Sequence, residues 1–303
     1  MSFRTAAVLV LAAALPALAS AAEGTGFVLT EENDLFADKD NNYTQGLEMR
    51  TVTRGTGAAD VAFGLRSRMY TPADISVPWD QPGDRPWAGV TTAFAERTER
   101  TGWGSLLEGV ELGVLGPWAG CEWQQTEVHR LIGNRLPQGW SNQVPNEPSL
   151  QGYCRWLRDV WAVGAPGSLG ADLAGTADFC AGTTYDDAGV GALARAGWNM
   201  PPGTPGPIAP KLTRPGFFAY LFAEGEGSYV LHNATLGHSW LRRGGDKWDR
   251  DLVPLVGEAR VGASFGWSGW SASYFRAWRT DEFEGQPEKY QYGAVTLGFA
   301  VPI

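Results

Sequence analysis

The chain is poor in the residues on which most soluble catalysis depends. It has three histidines, three cysteines and a formal net charge of −9. Cysteines at 121, 154 and 180 leave at least one thiol unpaired, and a Cys154–Cys180 bridge is open only to an exported chain. There is no C-x-x-C pair, no H-E-x-x-H helix and no glycine-rich phosphate loop, and the one G-x-S-x-G string, Gly262–Gly266, closes a strand pattern with no helix after it, so it is not a nucleophile elbow. The acidic balance excludes a nucleic-acid partner. An anionic ligand would need local cations or a metal, because the overall field repels it. Past residue 22 no run approaches the roughly 18 apolar residues of a membrane helix. Neither an internal repeat nor a low-complexity linker divides the chain.

Residues 1–22 read as a cleaved secretory signal. Arg4 is followed by an apolar run from Ala6 to Ala19, broken only by Pro16, and then by Ser20-Ala21-Ala22. Residues 23–303 are then one mature domain. Its 40 glycines and 14 tryptophans, with a mean hydropathy just below zero, fit an outer-membrane β-barrel, whose aromatic girdles sit at both interfaces.

Period-2 alternation predicts about twelve strands, at roughly nine to eleven residues each. They are Phe27–Asn33, Thr44–Thr53, Val61–Tyr70, Trp87–Glu96, Ser105–Leu115, Tyr153–Val163, Ala171–Thr183, Gly189–Trp198, Phe217–Val230, Pro254–Phe265, Trp270–Arg279 and Tyr290–Ala300. In the second, Leu47, Met49 and Thr51 face one way and Gly46, Glu48 and Arg50 the other. Tyr153, Trp156 and Trp161 are candidate belt residues. The fold class is thus all-β: a transmembrane antiparallel up-and-down barrel. Short joins follow the even strands, and long polar loops follow strands one, three, five and nine, which gathers those loops at the outer rim. The loop Asn199–Pro215, after the eighth strand, breaks this rule.

One segment departs from the β pattern. Glu122–Ile132 lacks glycine and proline, is rich in Glu, Gln, Leu and Arg, and stops at Gly133-Asn134, so the spacing predicts a short extracellular loop helix. Gln125 and His129, four residues apart, share one of its faces. A lone histidine is more often structural than catalytic, but this one sits where the outer loops converge. His232 and His238, in HNATLGH, lack the spacing of a zinc pair and read as solvated. In the first loop, Asn33, Asp34 and Thr44 can face one another at the rim. Their amide, carboxylate and hydroxyl oxygens suit calcium or magnesium; the alternative is a solvated loop of turn-forming Asp and Asn. In the second, Asp84-Arg85-Pro86 offers Arg85 either as a cation for a substrate phosphate or carboxylate, or as half of a pair that pins the loop.

Taken in order, ENDLF, YTQG, DRPWAG, GPWAG with QQTEVHRLIG, GWSNQ, and TDEFEGQ with YGAVTLGF resemble the outer-membrane lipid A 3′-O-deacylases (LpxR), over nearly the whole mature chain. The resemblance implies a twelve-stranded barrel in the bacterial outer membrane, with its active site at the outer rim between wall and loop helix. It also implies calcium-dependent removal of the 3′ acyloxyacyl chain, with lipid A or lipopolysaccharide as the partner. Asn33 and Asp34 match the family's metal-side ND pair, Thr44 the threonine of YTxG, which would serve metal and substrate, and Gln125 and His129 the Q-x-x-x-H helix. Two departures stand out. The second loop has no clear lysine, Arg85 being the nearest cation, and the chain ends Ala-Val-Pro-Ile rather than in an aromatic.

The expected chemistry is ester hydrolysis by water activated at His129, with Gln125 orienting ring or water and Ca²⁺ polarising the carbonyl. A monomer is expected. Two other readings remain at this point: a passive porin-like or structural barrel, and a Ser–His phospholipase pairing Ser141 with His129.

Overall fold

The computed structural model describes residues 25–37, 42–54, 59–201, 216–242 and 247–300. The expected signal segment, part of the first loop and most of the Asn199–Pro215 loop lie outside these residues. Twelve strands form one closed antiparallel barrel: β1 Thr25–Asn33, β2 Asn42–Arg54, β3 Ala59–Thr71, β4 Ala88–Thr101, β5 Gly104–Leu115, β6 Glu147–Val163, β7 Leu169–Gly182, β8 Tyr185–Trp198, β9 Phe218–Asn233, β10 Leu255–Trp267, β11 Trp270–Arg279 and β12 Tyr290–Ala300. Every strand pairs with its sequence neighbours. β1 closes the sheet on β12 from Gly26↔Ala300 to Asn33↔Gly293.

The alternation along each strand sorts polar residues inward and apolar residues outward. Glu32, Glu48, Arg50, Arg66, Arg68, Glu96, Glu111, Arg155 and Arg260 line the lumen. Met49, Phe63, Leu65, Val110, Leu112 and Leu150 lie exposed on the outer wall. All of these except Glu32, which accepts from the Tyr43 hydroxyl, are ion-paired, because an unpaired charge away from bulk water is costly. Arg66 meets Glu48 at 2.6 Å and Glu96 at 3.3 Å, Arg50 meets Glu96 at 2.9 Å, and Arg279 meets Glu258 at 2.8 Å. Towards the loop end, Tyr43 lies 5.2–5.9 Å, centroid to centroid, from the rings of Tyr70, Tyr290 and Tyr292. The lumen is therefore crossed by ion pairs and lidded by tyrosines.

Exposed Trp103, Trp161, Trp198, Trp267 and Trp270 form a girdle near the short turns. Tyr153, a candidate belt residue, instead faces the lumen, where its hydroxyl donates to Glu96 at 2.6 Å. The largest boundary change is in β6, which begins six residues before the expected Tyr153. There Pro148 pairs with Val114 of β5, while the ladder to β7 starts only at Gln151, so the missing N–H of proline is harmless. Cys154 and Cys180 are free. Their partners across the β6–β7 ladder are Phe179 and Tyr153 respectively, so the alternation puts the two thiols on opposite faces of the wall.

Candidate active site

Between β5 and β6 the chain leaves the barrel rim and forms α1, Cys121–Ile132. Glycines in left-handed conformation bound it: Gly120 (φ 73°) before and Gly133 (φ 71°) after. At the C-terminal end Gly133 N–H bonds to Arg130 O and Asn134 N–H to His129 O, the paired bonds of a Schellman stop. The helix packs on the outside of the wall. Outward-facing Thr91 donates to Ala119 O at 2.8 Å, and Ser67 donates to Gln124 Oε1 at 3.4 Å. Gly89 makes this seating feasible, since a Cβ there would lie 2.6 Å from Cys121 Cβ. Met69, Ile75, Trp87, Ala119, Cys121 and Trp140 form a second apolar core, outside the barrel, that clamps helix and loops to the wall. Burial there pushes the Cys121 thiol pKa up.

On the wall side of α1, Cys121, Gln125 and His129 are buried. The Gln125 side chain is only 2% exposed, and its Oε1 accepts from Trp140 Nε1 at 2.7 Å. Indole N–H can only donate, so this bond fixes which end of the amide is which. Gln125 Nε2, with two N–H donors, is buried without a hydrogen-bond partner among the described residues. His129 Nδ1 bonds to the carbonyl oxygen of Arg135, just beyond the Schellman turn. A carbonyl can only accept, so Nδ1 carries the proton and, in the neutral ring, Nε2 is the basic nitrogen. One helix face thus presents a donor amide and an acceptor imidazole four residues apart.

The first-loop residues lie on the same outer surface of neighbouring strands. Asn33, at the end of β1, points outward, and its Oδ1 accepts from Leu35 N at 2.9 Å, leaving a second lone pair. Asp34 opens a 3-10 turn and is 1% exposed. Thr44 sits at a bulge in β2, with its hydroxyl 2.7 Å from that of Thr71 on β3. β3 connects the two sets: Thr71 touches Thr44, and Met69, on the same face, packs in the cluster with Cys121 and Trp140. The bonds described for Gln125 and His129 remain within their own loop. Sequence reasoning missed two further groups here. Outward Glu31 accepts from Gln45 Nε2 at 2.8 Å, and Trp140 holds Gln125.

Asn33, Asp34 and Thr44 supply only hard oxygens, which fits calcium by chemistry, at the low charge of a single carboxylate. Among the described residues no three His, Cys, Asp or Glu gather into a metal-binding group.

Of the two readings of Arg85, the structure supports the one in which it pins a loop. Arg85 is fully buried: Nη1 bonds to Glu282 Oε2 at 3.1 Å, Nη2 to Thr235 Oγ1 at 3.4 Å, and the guanidinium lies 4.3 Å from the Tyr70 ring centroid. It pins three outer loops over the tyrosine lid. His232 is likewise not solvated; it is 3% exposed and packs 4.8 Å from Trp240, ring to ring. Ser141 is exposed and takes a 3.5 Å contact from the Asn142 amide, while the His129 ring is held by Arg135.

A family model described as outer membrane protein LpxR matches residues 5–301. The chain belongs to the LpxR family. Among solved structures, LpxR from Salmonella typhimurium superposes with a TM-score of 0.78 at 21% identity, covering 91% of this chain and 99% of that one, so the two barrels share a fold. An outer membrane channel from Pseudomonas putida F1 gives a TM-score of 0.44 at 12% identity, over 92% of this chain and 96% of its own. No curated protein matches. Family and fold together make this LpxR-family barrel a protein of the bacterial outer membrane.

Proposed function

We propose that this LpxR-family barrel is a lipid A 3′-O-deacylase that hydrolyses its ester with water. The supporting observation is the pair of oriented side chains on α1: Trp140 holds Gln125 Oε1 and leaves its Nε2 N–H groups without a partner among the described residues, and Arg135 leaves His129 its Nε2 lone pair. In this reading His129 Nε2 takes a proton from water as the water oxygen bonds to the ester carbonyl carbon. Gln125 Nε2 donates to the carbonyl oxygen as it gains negative charge. When the tetrahedral centre collapses, the C–O bond to the sugar breaks, and the imidazolium returns its proton to the departing alkoxide. General-base help of this kind is worth roughly 10²–10⁴-fold. Calcium, held by Asn33, Asp34 and Thr44, would supply Lewis-acid polarisation of the same carbonyl.

The porin-like reading is opposed by the ion-paired lumen and its tyrosine lid, and the Ser141–His129 reading by the exposed serine. Mass spectrometry of lipid A from cells with and without the protein tests the proposal. Loss of the 3′ acyl groups is expected with the parent and not with His129→Ala, and chelation should stop release by purified protein. Unaltered lipid A in cells carrying correctly inserted parent protein would overturn the proposal.

A further inference from the structure

Among the described residues, the remaining face of α1 has no protein partner that accounts for its composition. Because the helix is bonded to outward positions of β3 and β4, its far side looks where the barrel wall looks, towards lipid. Trp118 in the preceding 3-10 turn is 77% exposed, Trp123 on the helix is 68% exposed, and Leu131, about two turns further along the helix, is 55% exposed. The same face carries the Glu127–Arg130 ion pair. Tryptophan mixed with paired charge is what the boundary between acyl chains and headgroups selects, since the indole has an apolar body and a polar edge. The patch is continuous with the lipid-facing wall. Trp118 N–H bonds to Asn146 Oδ1 at 2.7 Å, just ahead of β6, and the exposed pair Leu112↔Leu150 lies directly below on β5 and β6.

We propose that α1 and its preceding turn lie in the outer leaflet at the acyl–headgroup boundary, so that the slot between helix and wall opens sideways into lipid. This deepens the proposed function and rests on it for its consequence: an ester would reach His129 without its lipid leaving the leaflet. The membrane contact itself does not depend on activity.

The test compares parent with Trp118→Phe/Trp123→Phe, both inserted in phosphatidylcholine vesicles carrying bromine at shallow or deep acyl positions. The difference in emission isolates the two tryptophans. Shallow bromine should lower that difference roughly two-fold or more, and deep bromine less. Adding Leu131→Trp to the double variant should restore a quenchable signal, which guards against a folding defect in the first variant. Difference emission insensitive to bromine at every depth, with the red-shifted maximum of hydrated indole, would overturn the inference. Quenching without any ester release by parent would instead sink the enzymatic reading and leave this one standing.

Discussion

Replacing Trp140 with phenylalanine separates a tuned site from a merely packed one. The ring would still fill the space 5.0 Å, centroid to centroid, from Trp87, but the bond to Gln125 Oε1 would be gone. That strands an amide oxygen on a side chain only 2% exposed, at a cost of about 1–3 kcal/mol. The amide can recover the loss by rotating until its oxygen finds another donor, and its N–H groups then leave the position where the oxyanion forms. Removing one such donor outright costs roughly 10²–10³-fold in turnover. A donor that is present but wrongly held should cost part of this, about 10–100-fold.

The assay is release of fatty acid from lipid A in mixed micelles by purified protein, well below its unfolding temperature. The expected result is a fall in kcat with little change in KM. Gln125→Ala made in the Trp140→Phe background should add little, whereas independent effects would multiply. Gln125→Glu keeps an acceptor for Trp140 but removes the donor, so it should fall as far as Gln125→Ala. Trp87→Phe is the control. Trp87 Nε1 is buried without a partner among the described residues, so losing it breaks no hydrogen bond seen there, and activity should stay within about threefold. Full activity in Trp140→Phe, or losses that multiply with Gln125→Ala, would refute the reasoning.

Arg85→Ala should lower the unfolding midpoint, because Glu282 would lose its fully buried partner while keeping Arg279 at 2.9 Å, at about 1–3 kcal/mol, and it should leave KM for lipid unchanged. A raised KM with normal stability would return Arg85 to the substrate. The intact barrel should show no stepwise conductance in planar bilayers, and porin-sized steps would contradict the ion-paired, lidded lumen. Cys121, with its thiol pushed up by burial, stays protonated into the alkaline range; its contribution to folding is complete at neutral pH and declines as pH rises past the ordinary thiol value. It is also the one fully buried cysteine, the other two being half-buried, so it should be the slowest to alkylate in the folded protein at pH 8, read by peptide mass spectrometry, and rapid modification would show that the clamp between helix and wall opens.

The strand count, the bounds of β11 and β12 and the loop helix were legible because period-2 alternation and glycine stops are local signals. What stayed open or was misread depends on partners remote in sequence. Arg85 meets Glu282 across 197 residues, and nothing near DRPWAG marks that pairing. His232 is buried by Trp240, at the far end of a turn that reads as polar. Tyr153 shows a different limit: alternation says which residues share a face, but not which face is the lumen. The orientations of Gln125 and His129 depend on Trp140 and the carbonyl of Arg135, contacts made only after the helix stops and the chain folds back.

One usable signal did lie in the strands. On a barrel wall bare to lipid, outward positions should be apolar to the top of the hydrocarbon band. Low on β3 they are: Val61, Phe63 and Leu65. Higher up, the outward series turns to Ser67, Met69 and Thr71, on β1 to Glu31 and Asn33, on β2 to Gln45, and on β4 to Thr91. Polar groups facing hydrocarbon would be costly, so something must cover or satisfy them. Ser67 and Thr91 bond to the α1 segment, Thr71 to Thr44, and Gln45 to Glu31. The break in the apolar-out rule on four consecutive strands therefore marks the sector in which the loop helix is seated, against β3 and β4. It also separates the two faces by chemistry. The lumen spends its charges on one another, whereas in the outer sector an amide and an imidazole are each held at one end and present the other, Gln125 Nε2 and His129 Nε2, with no bond to the described residues, on the side of the wall from which a lipid can arrive.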